Sequence, residues 1–268
     1  MTLRKILKLF CPPILLKALA HFRGNRIRFI GDYAHWSDAQ NQAIGYDSDN
    51  IFEKVKESTQ KVISGQAAYE RDSVCFYEPA YRWPLLACLL FIANKQNNKL
   101  NIIDFGGALG SLYYQHRDFL STIHEVNWSI VEQSHYVEYG KKQLQNKQLS
   151  FHSTLAEGVR GNKGDAILLS SVLPYIENPR QLLSEIAEFK FQYILIDRTP
   201  FIRSEKDRLT VQSVPESIYK ASYPAWFFSE GQFDKLMQEL GYKCIYEFSC
   251  DDDFELGEVK GFLFERIS

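Results

Sequence analysis

The chain lacks the features that mark disulfide-linked, zinc-binding or membrane-spanning proteins. Its five cysteines are odd in number, dispersed and never in C-x-x-C spacing, which excludes a zinc site or a disulfide framework and suits a reducing compartment. No apolar run reaches the roughly 18 residues of a membrane span. The net charge is only −2, so no overall field would recruit nucleic acid. We therefore expect a cytoplasmic protein with no metal site and no nucleic-acid partner.

Acidic residues are missing from the first 30 positions, where seven lysines and arginines alternate with leucine, isoleucine and phenylalanine. A secretory signal needs a continuous apolar core, which is broken here by Pro12, Pro13 and Lys17. A basic amphipathic pattern of this kind favours peripheral contact of residues 1–28 with the inner face of the membrane. A helix packed back on the protein, with solvated lysines, fits the pattern equally well.

Strand and helix patterns alternate from residue 100 onward. Continuous apolar strands separated by helices predict a parallel sheet covered on both faces. The expected strands are Leu100–Phe105, Trp128–Val131, Leu149–His152, Ala166–Leu169 and Tyr193–Ile196. The expected helices are Leu112–Leu120, His135–Leu144, Arg180–Phe189 and Glu230–Leu240.

Two further strand patterns, Tyr242–Phe248 and Gly261–Arg266, follow the last helix and are separated by an expected acidic loop, Asp251–Glu258. A closing hairpin after the fifth strand–helix unit is typical of methyltransferase sheets and not of nicotinamide-binding ones. The sequence thus predicts an α/β fold with a doubly wound, mostly parallel, seven-stranded Rossmann-like sheet. The expected regions are a basic segment (1–30), a helical N-terminal cap (31–99) and the sheet domain (100–268), which carries an insertion (201–228).

A glycine turn follows the first strand of this sheet, in the segment NIIDFGGALG (residues 101–110). Glycines at such a turn expose backbone N–H groups to a ligand. The dinucleotide fingerprint requires a second glycine two residues after Gly106, but Ala108 occupies that position. The segment also lacks the lysine that a phosphate-binding loop requires. The segment instead resembles the first motif of class I S-adenosylmethionine methyltransferases, with Ala108 in place of the middle glycine. An ordinary tight strand–helix turn fits the same residues.

Other candidate cofactor residues lie at the carboxyl ends of the predicted strands, where α/β sheets bind ligands. Glu132 ends the second strand, and an acid at this position can bind the two hydroxyls of a ribose. Ser170 and Ser171 end the fourth strand. The predicted cofactor-binding residues are Asp104, Gly106, Gly107, Gly110, Glu132, Gln133, Ser170 and Ser171.

Beyond these motifs, nearly all of residues 31–266 resembles the class I methyltransferase-like proteins of bacterial surface-polysaccharide (O-antigen and capsule) gene clusters. The matching stretches are GDYAHWSDA, GYDS, ERDSVCFYE, WPLL, DFGGALGS, VEQ, LLSSVLPYI, IDRTP, DRLTVQSVPESIYKASYPAWFFS and GFLFER. The resemblance implies S-adenosylmethionine as cofactor and O-methylation of a glycan or nucleotide-sugar acceptor. A non-catalytic scaffold of the same fold is the alternative, which Ala108 favours.

Transfer of a methyl group to a hydroxyl needs alignment of the acceptor and a base that takes its proton. Asp197 is the expected base because it ends the fifth strand, and Arg198 and His116 are the other catalytic candidates. Asp197 could equally cap a helix or pair with Arg198, and His116 could be a surface histidine.

Aromatic rings and arginines, which suit a sugar or phosphate acceptor, are concentrated in the insertion. The predicted substrate-binding residues are Arg208, Tyr219 and Tyr223 of the insertion and Tyr175, which lies before it and could instead pack on the adenine. A lid whose aromatic side chains only fill its own small core is the alternative.

Overall fold

The computed structural model describes residues 27–45, 48–161, 164–215, 221–254 and 256–267. The described chain divides into two compact units. The smaller consists of residues 27–45 with Leu209–Ala225, and the larger takes in the remainder. Most of the predicted basic segment (1–30) lies outside the described residues.

Twelve strands are present in the described residues: β1 (Arg28–Tyr33), β2 (Tyr69–Arg71), β3 (Val74–Phe76), β4 (Lys99–Phe105), β5 (Glu125–Val131), β6 (Leu149–His152), β7 (Ala166–Ser170), β8 (Tyr193–Ile202), β9 (Arg208–Val214), β10 (Ala221–Ser229), β11 (Tyr242–Phe254) and β12 (Gly257–Arg266). The helices are α1 (Trp36–Gln42), α2 (Ser48–Ile63), α3 (Trp83–Lys95), α4 (Ser111–Leu120), α5 (Ser134–Gln143), α6 (Leu155–Gly161), α7 (Pro179–Glu188) and α8 (Glu230–Glu239), with a 3₁₀ turn at Leu173–Tyr175.

The larger unit is built on a sheet in the order β6-β5-β4-β7-β8-β12-β11. The first five strands are parallel to one another, and β12 is antiparallel to both β8 and β11. The end of β10 also pairs with the end of β8, through Phe228 and Phe201. The predicted doubly wound, mostly parallel sheet of seven strands is therefore confirmed.

Both faces of this sheet are covered by apolar packing. Ile102 and Ile103, neighbours on β4, are both fully buried yet belong to separate apolar clusters, because successive side chains of a strand point to opposite faces. Trp128 anchors one cluster and Phe201 helps to form the other. Because both faces of these strands are buried, their sequences are continuous apolar runs.

The closing hairpin is longer than predicted. The acidic stretch expected as a loop (Asp251–Glu258) belongs largely to β11 and β12, where Asp253 pairs with Glu258. Acidic side chains are unfavourable in a strand unless their charge is compensated. Here the guanidinium of Arg198 donates to Asp252 at 3.0 Å.

The expectation of a helical region over 31–99 is only partly correct. Three helices lie there, but β1 ends within it at Tyr33, and β2 and β3 form a hairpin whose turn residues, Asp72 and Ser73, have positive φ. The rings of Tyr69 and Phe76 stack across this hairpin with centroids 4.6 Å apart. Cross-strand aromatic pairs of this kind stabilise short hairpins.

In the smaller unit, β1 pairs antiparallel with β9, so that Phe29 lies opposite Gln212. Thr210 on β9 donates its hydroxyl to the carbonyl of Ala225 at 2.8 Å. Part of the predicted insertion is therefore strand structure.

Candidate functional site

The glycine turn follows β4 at the carboxyl edge of the parallel strands. The N–H of Gly106 donates to the carbonyl of Val131 at 2.9 Å, which joins the turn to the end of β5. Gly106 and Gly110 have φ of +73° and +95°, conformations that glycine adopts without a steric cost. The turn ends at Gly110, and α4 begins at the next residue.

Two of the glycines are also required by close packing. A Cβ at Gly106 would lie 2.5 Å from Cγ2 of Val172, which follows β7. A Cβ at Gly107 would lie 2.5 Å from the carboxyl carbon of Asp104. The turn is thus held tightly between the ends of β4 and β7, with its backbone as the surface available to a ligand.

Asp104 lies beneath this turn and is 1% exposed. The indole Nε1 of Trp128 donates to its Oδ2 at 2.9 Å. Burial raises the pKa of Asp104 to about 7, although the bond from Trp128 acts in the opposite direction. Since Asp104 is shielded from solvent, its geometry suits support of the turn.

Glu132 directly follows β5, at the edge predicted for the ribose. Its backbone N–H donates to the carbonyl of His152 at 3.1 Å, and its carboxylate accepts from the N–H of Gln133 at 2.6 Å. Burial raises the pKa of Glu132, whereas hydrogen bonds from the backbone of Gln133 and of Ala108 lower it. The bond from Gly106 to Val131 and the pairing of Phe105 with Val131 place the glycine turn and Glu132 after neighbouring strands. Gln133 is exposed at the start of α5.

The ends of β7 and β8 bring three predicted residues together. Ser170 donates its hydroxyl to Oδ2 of Asp197 at 2.7 Å, and the N–H of Ser171 donates to the backbone carbonyl of Asp197 at 2.9 Å. Asp197 is fully buried. The predicted base is therefore part of a fixed hydrogen-bonded group.

A residue that the sequence did not single out completes this group. Nη2 of Arg82 donates to Oδ1 of Asp197 at 2.6 Å, and the Arg82 side chain is only 9% exposed. The thiol of Cys250 lies 3.6 Å from the same carboxylate oxygen. Burial raises the pKa of that thiol to about 11, so Cys250 is a neutral donor to Asp197.

Arg198 does not pair with its neighbour Asp197, contrary to the alternative left open from the sequence. Its guanidinium donates instead to Asp252 on β11 and, at 2.9 Å, to Asp72 in the β2–β3 turn. These two carboxylates hold the pKa of Arg198 above its usual range, against the effect of burial. Arg198 thus links the end of β8 to the hairpin.

His116 is fully buried, so the alternative of a surface histidine is wrong. Its Nε2 accepts the backbone N–H of Arg82 at 3.2 Å, and its Nδ1 lies 2.9 Å from the carbonyl of Leu112. Burial lowers the pKa of His116 to about 4, and the ring is neutral at neutral pH. Nε2 therefore holds α4 to the segment that carries Arg82, whereas Nδ1 contacts a carbonyl within α4 itself. The catalytic roles expected of Asp197, Arg198 and His116 stay predictions.

The predicted acceptor residues lie in different parts of the described chain. Tyr175 ends the 3₁₀ turn after β7, and Arg208 begins β9, both in the larger unit. Tyr223 lies on the part of β10 that belongs to the smaller unit, where its hydroxyl accepts from Gln212 at 3.2 Å. Tyr219 lies outside the described residues.

An aromatic cluster next to Arg82 was also missed by the sequence reasoning. The rings of Tyr81 and Trp83 have centroids 5.2 Å apart, and Phe119 of α4 packs on Trp83 at 5.4 Å. Trp83 is 58% exposed, which is unusual for so large an apolar side chain. In the sequence only Trp83 was visible, as part of the WPLL stretch. Among the described residues, no group of three or more histidine, cysteine, aspartate or glutamate side chains could hold a metal ion.

Comparison with protein-family models finds no match to this chain, and comparison with curated proteins finds none either. Solved structures do match. The N-terminal domain of EvdMO1, solved in the presence of SAH and D-fucose, has a TM-score of 0.50 at 14% identity, over 84% of this chain and 98% of that one. Magnesium protoporphyrin IX methyltransferase (ChlM) from Synechocystis PCC 6803, with bound SAM, has a TM-score of 0.47 at 12% identity, over 69% and 78%. The likeness to EvdMO1 agrees with the predicted Rossmann-like fold.

Proposed function

We propose that this protein is an S-adenosylmethionine-dependent methyltransferase that O-methylates a sugar of a bacterial surface polysaccharide or of its precursor. The observation that carries the proposal is that the glycine turn and Glu132 directly follow the neighbouring parallel strands β4 and β5, with Gly106 bonded to Val131. A tight glycine turn beside a carboxylate at this edge is suited to an adenosine-containing ligand. The antiparallel closing hairpin favours S-adenosylmethionine over a nicotinamide cofactor.

In this proposal each predicted cofactor residue has a defined task. The backbone of Gly106, Gly107 and Gly110 binds the methionine portion, and Asp104 supports the turn from below. Glu132 accepts hydrogen bonds from the ribose hydroxyls, next to Gln133. The backbone around Ser170 and Ser171 flanks the adenosine.

The sulfonium methyl group needs no activation, so the protein must align the acceptor hydroxyl and remove its proton. Asp197 is buried but its Oδ2 is linked to the hydroxyl of Ser170 at 2.7 Å. We assign the proton path from the acceptor hydroxyl through Ser170 to Asp197. Arg82 then holds the carboxylate in place, and Arg198 and His116 position the segments around it.

The sugar acceptor is supported by the chemistry of the side chains near this edge. Trp83 presents an exposed aromatic face next to Arg82, and aromatic faces stack on sugar rings. Tyr175 and Arg208, in the larger unit, stay proposed acceptor residues, and Tyr223 and Tyr219 stay predictions from the sequence alone. The fold is shared with an EvdMO1 domain that was solved with SAH and D-fucose, which makes these the first ligands to try.

The acceptor is tested by comparing the methylated sugars of the cell-surface glycan in wild-type cells and in a deletion strain. We expect one O-methyl sugar to disappear in the deletion strain and to return with the wild-type gene but not with Ser170→Ala. An unchanged glycan would rule out the sugar acceptor while leaving the cofactor assignment intact.

A non-catalytic scaffold of the same fold is the second candidate. It is favoured by Ala108, whose φ of +48° is strained for a residue other than glycine, and by the ion-paired Asp197. A Glu132→Ala variant distinguishes the two functions because it changes the proposed ribose site at a partly exposed position. Full complementation of a deletion by this variant would favour the scaffold.

Peripheral membrane binding through residues 1–28 is a further part of the proposal. No described helix is long and apolar enough to cross a membrane. Seven cations that each contribute on the order of 1 kcal/mol near an anionic surface would suffice for reversible attachment. Because β1 begins at Arg28, a charge change is a cleaner test than truncation. We expect Lys5→Glu with Lys8→Glu to reduce sedimentation with anionic vesicles, and equal sedimentation would contradict membrane attachment.

A further inference from the structure

The β2–β3 hairpin carries a buried carboxylate against the residue that follows the glycine turn. Glu70 on β2 is 4% exposed. Its Oε1 accepts from the hydroxyl of Ser111, the first residue of α4, and its Oε2 accepts from the N–H of Ser73 at 3.2 Å. The sequence distance of 41 residues between Glu70 and Ser111 shows that the hairpin is folded onto the turn.

Glu70 has no ion-pair partner in the part of the chain that the structure describes. Buried carboxylates are normally paired with a positive group, because removing the charge from water is costly. Arg198, whose charge acts on Glu70, is held by Asp72 and Asp252 at 2.9 and 3.0 Å. Burial raises the pKa of Glu70, although hydrogen bonds from Ser111 and Ser73 and the charge of Arg198 act in the opposite direction. A positive charge beside the carboxylate would favour its ionised form.

We propose that Glu70 is the counter-ion for the α-ammonium group of the methionine portion of S-adenosylmethionine. This inference rests on the proposed function, in which the backbone of the glycine turn binds that portion. An ammonium group has three donors, and each oxygen of Glu70 uses only one of its acceptor positions within the protein. The α-carboxylate of the cofactor would be repelled by Glu70, so this side chain also fixes which end of the amino acid faces the hairpin.

Two ligands distinguish a role of Glu70 in binding the ammonium group from a general role in folding. S-adenosylhomocysteine carries the ammonium group, whereas 5′-methylthioadenosine keeps the adenosine and the sulfur but lacks the amino acid. Calorimetry should show that Glu70→Gln weakens S-adenosylhomocysteine at least 10-fold and changes 5′-methylthioadenosine by less than 2-fold. The matched control is Asp72→Asn in the same hairpin, whose side chain is 56% exposed, and it should change neither affinity by more than about 3-fold.

The proposal can also be tested without the Glu70→Gln variant, in case that variant does not fold. With the wild-type protein, an analogue of S-adenosylhomocysteine that lacks only the amino group should bind at least 10-fold more weakly than the parent. Equal weakening of 5′-methylthioadenosine is not expected, because that ligand has no amino group to lose.

Three outcomes would overturn the inference. The first is equal affinity of wild type and Glu70→Gln for S-adenosylhomocysteine, and the second is equal weakening of both ligands, which would mean that Glu70 only supports the fold. The third is equal binding of the parent ligand and the analogue without the amino group. If wild type binds neither adenosine ligand, the proposed function fails as well, and the two failures are therefore distinguishable.

Discussion

Nη2 of Arg82 and Oδ1 of Asp197 form an ion pair of 2.6 Å in which the carboxylate is fully buried and the arginine is 9% exposed. The pair joins the segment before α3 to the end of β8, at the edge where the cofactor is proposed to bind. Nε of Arg82 is buried without a partner among the described residues. Among the described residues, Asp197 is the carboxylate that lies within ion-pair distance of this arginine.

Removing one member of this pair should destabilise the protein strongly, because the other charge would be left buried and unpaired. We expect Arg82→Met to lower the free energy of unfolding by about 3–5 kcal/mol. The control is Lys99→Met, which breaks the Lys99–Glu125 pair whose side chains are 47% and 45% exposed. Its effect should be at most about 1 kcal/mol. Urea denaturation measures the free energy of unfolding of both variants. An equal loss in Arg82→Met and Lys99→Met would contradict the role of Arg82–Asp197 as a buried ion pair.

Ala108 stands in the left-handed region, with φ of +48°, where the motif that it resembles has glycine. A residue with a Cβ in this region costs roughly 1 kcal/mol. Ala108→Gly should therefore leave the stability unchanged or raise it by up to about 1 kcal/mol. Ala87→Gly, at an exposed position inside α3, should lower it by about 0.5–1 kcal/mol. Thermal unfolding measures the stability of both variants. A loss of stability in Ala108→Gly as large as that in Ala87→Gly would contradict backbone strain at Ala108.

Burial lowers the pKa of His116 to about 4, so the folded protein binds fewer protons there than the unfolded chain between about pH 4 and pH 6.5. The stability that this neutral histidine contributes is therefore present above pH 6.5 and is lost as the pH falls towards 4. Between pH 6.5 and pH 5, the free energy of unfolding of wild type should fall by about 1.5 kcal/mol more than that of His116→Gln. Parallel pH dependence in urea denaturation would show that the ring is not held neutral by the fold.

The strands were predictable from sequence because their signal is local. β6 begins and ends at the predicted residues, and the starts and ends of β4 and β7 agree within one residue. Double burial of a parallel strand produces an apolar run that is visible without any knowledge of its neighbours. The glycine turn and Glu132 were found for the same reason, since each directly follows such a run.

The remaining parts of the site depend on contacts between distant segments, for which a single sequence carries no signal. Arg82 and Asp197 are 115 residues apart, and Arg198 and Asp72 are 126 apart. Asp197 was identified from its place at a strand end, but its partner was not. The burial of His116 could not be predicted because it results from packing of the segment before α3 onto α4.

The central claim, that the carboxyl edge of β4 and β5 binds the adenosine cofactor, is tested most directly by calorimetry with S-adenosylhomocysteine. Glu132→Ala should weaken binding at least 10-fold because it removes the carboxylate proposed for the ribose hydroxyls. Glu125→Ala, at the opposite end of β5, should bind as wild type does, since its side chain lies on the exposed amino edge. The absence of binding at millimolar ligand, or equal binding by Glu132→Ala and wild type, would contradict the claim.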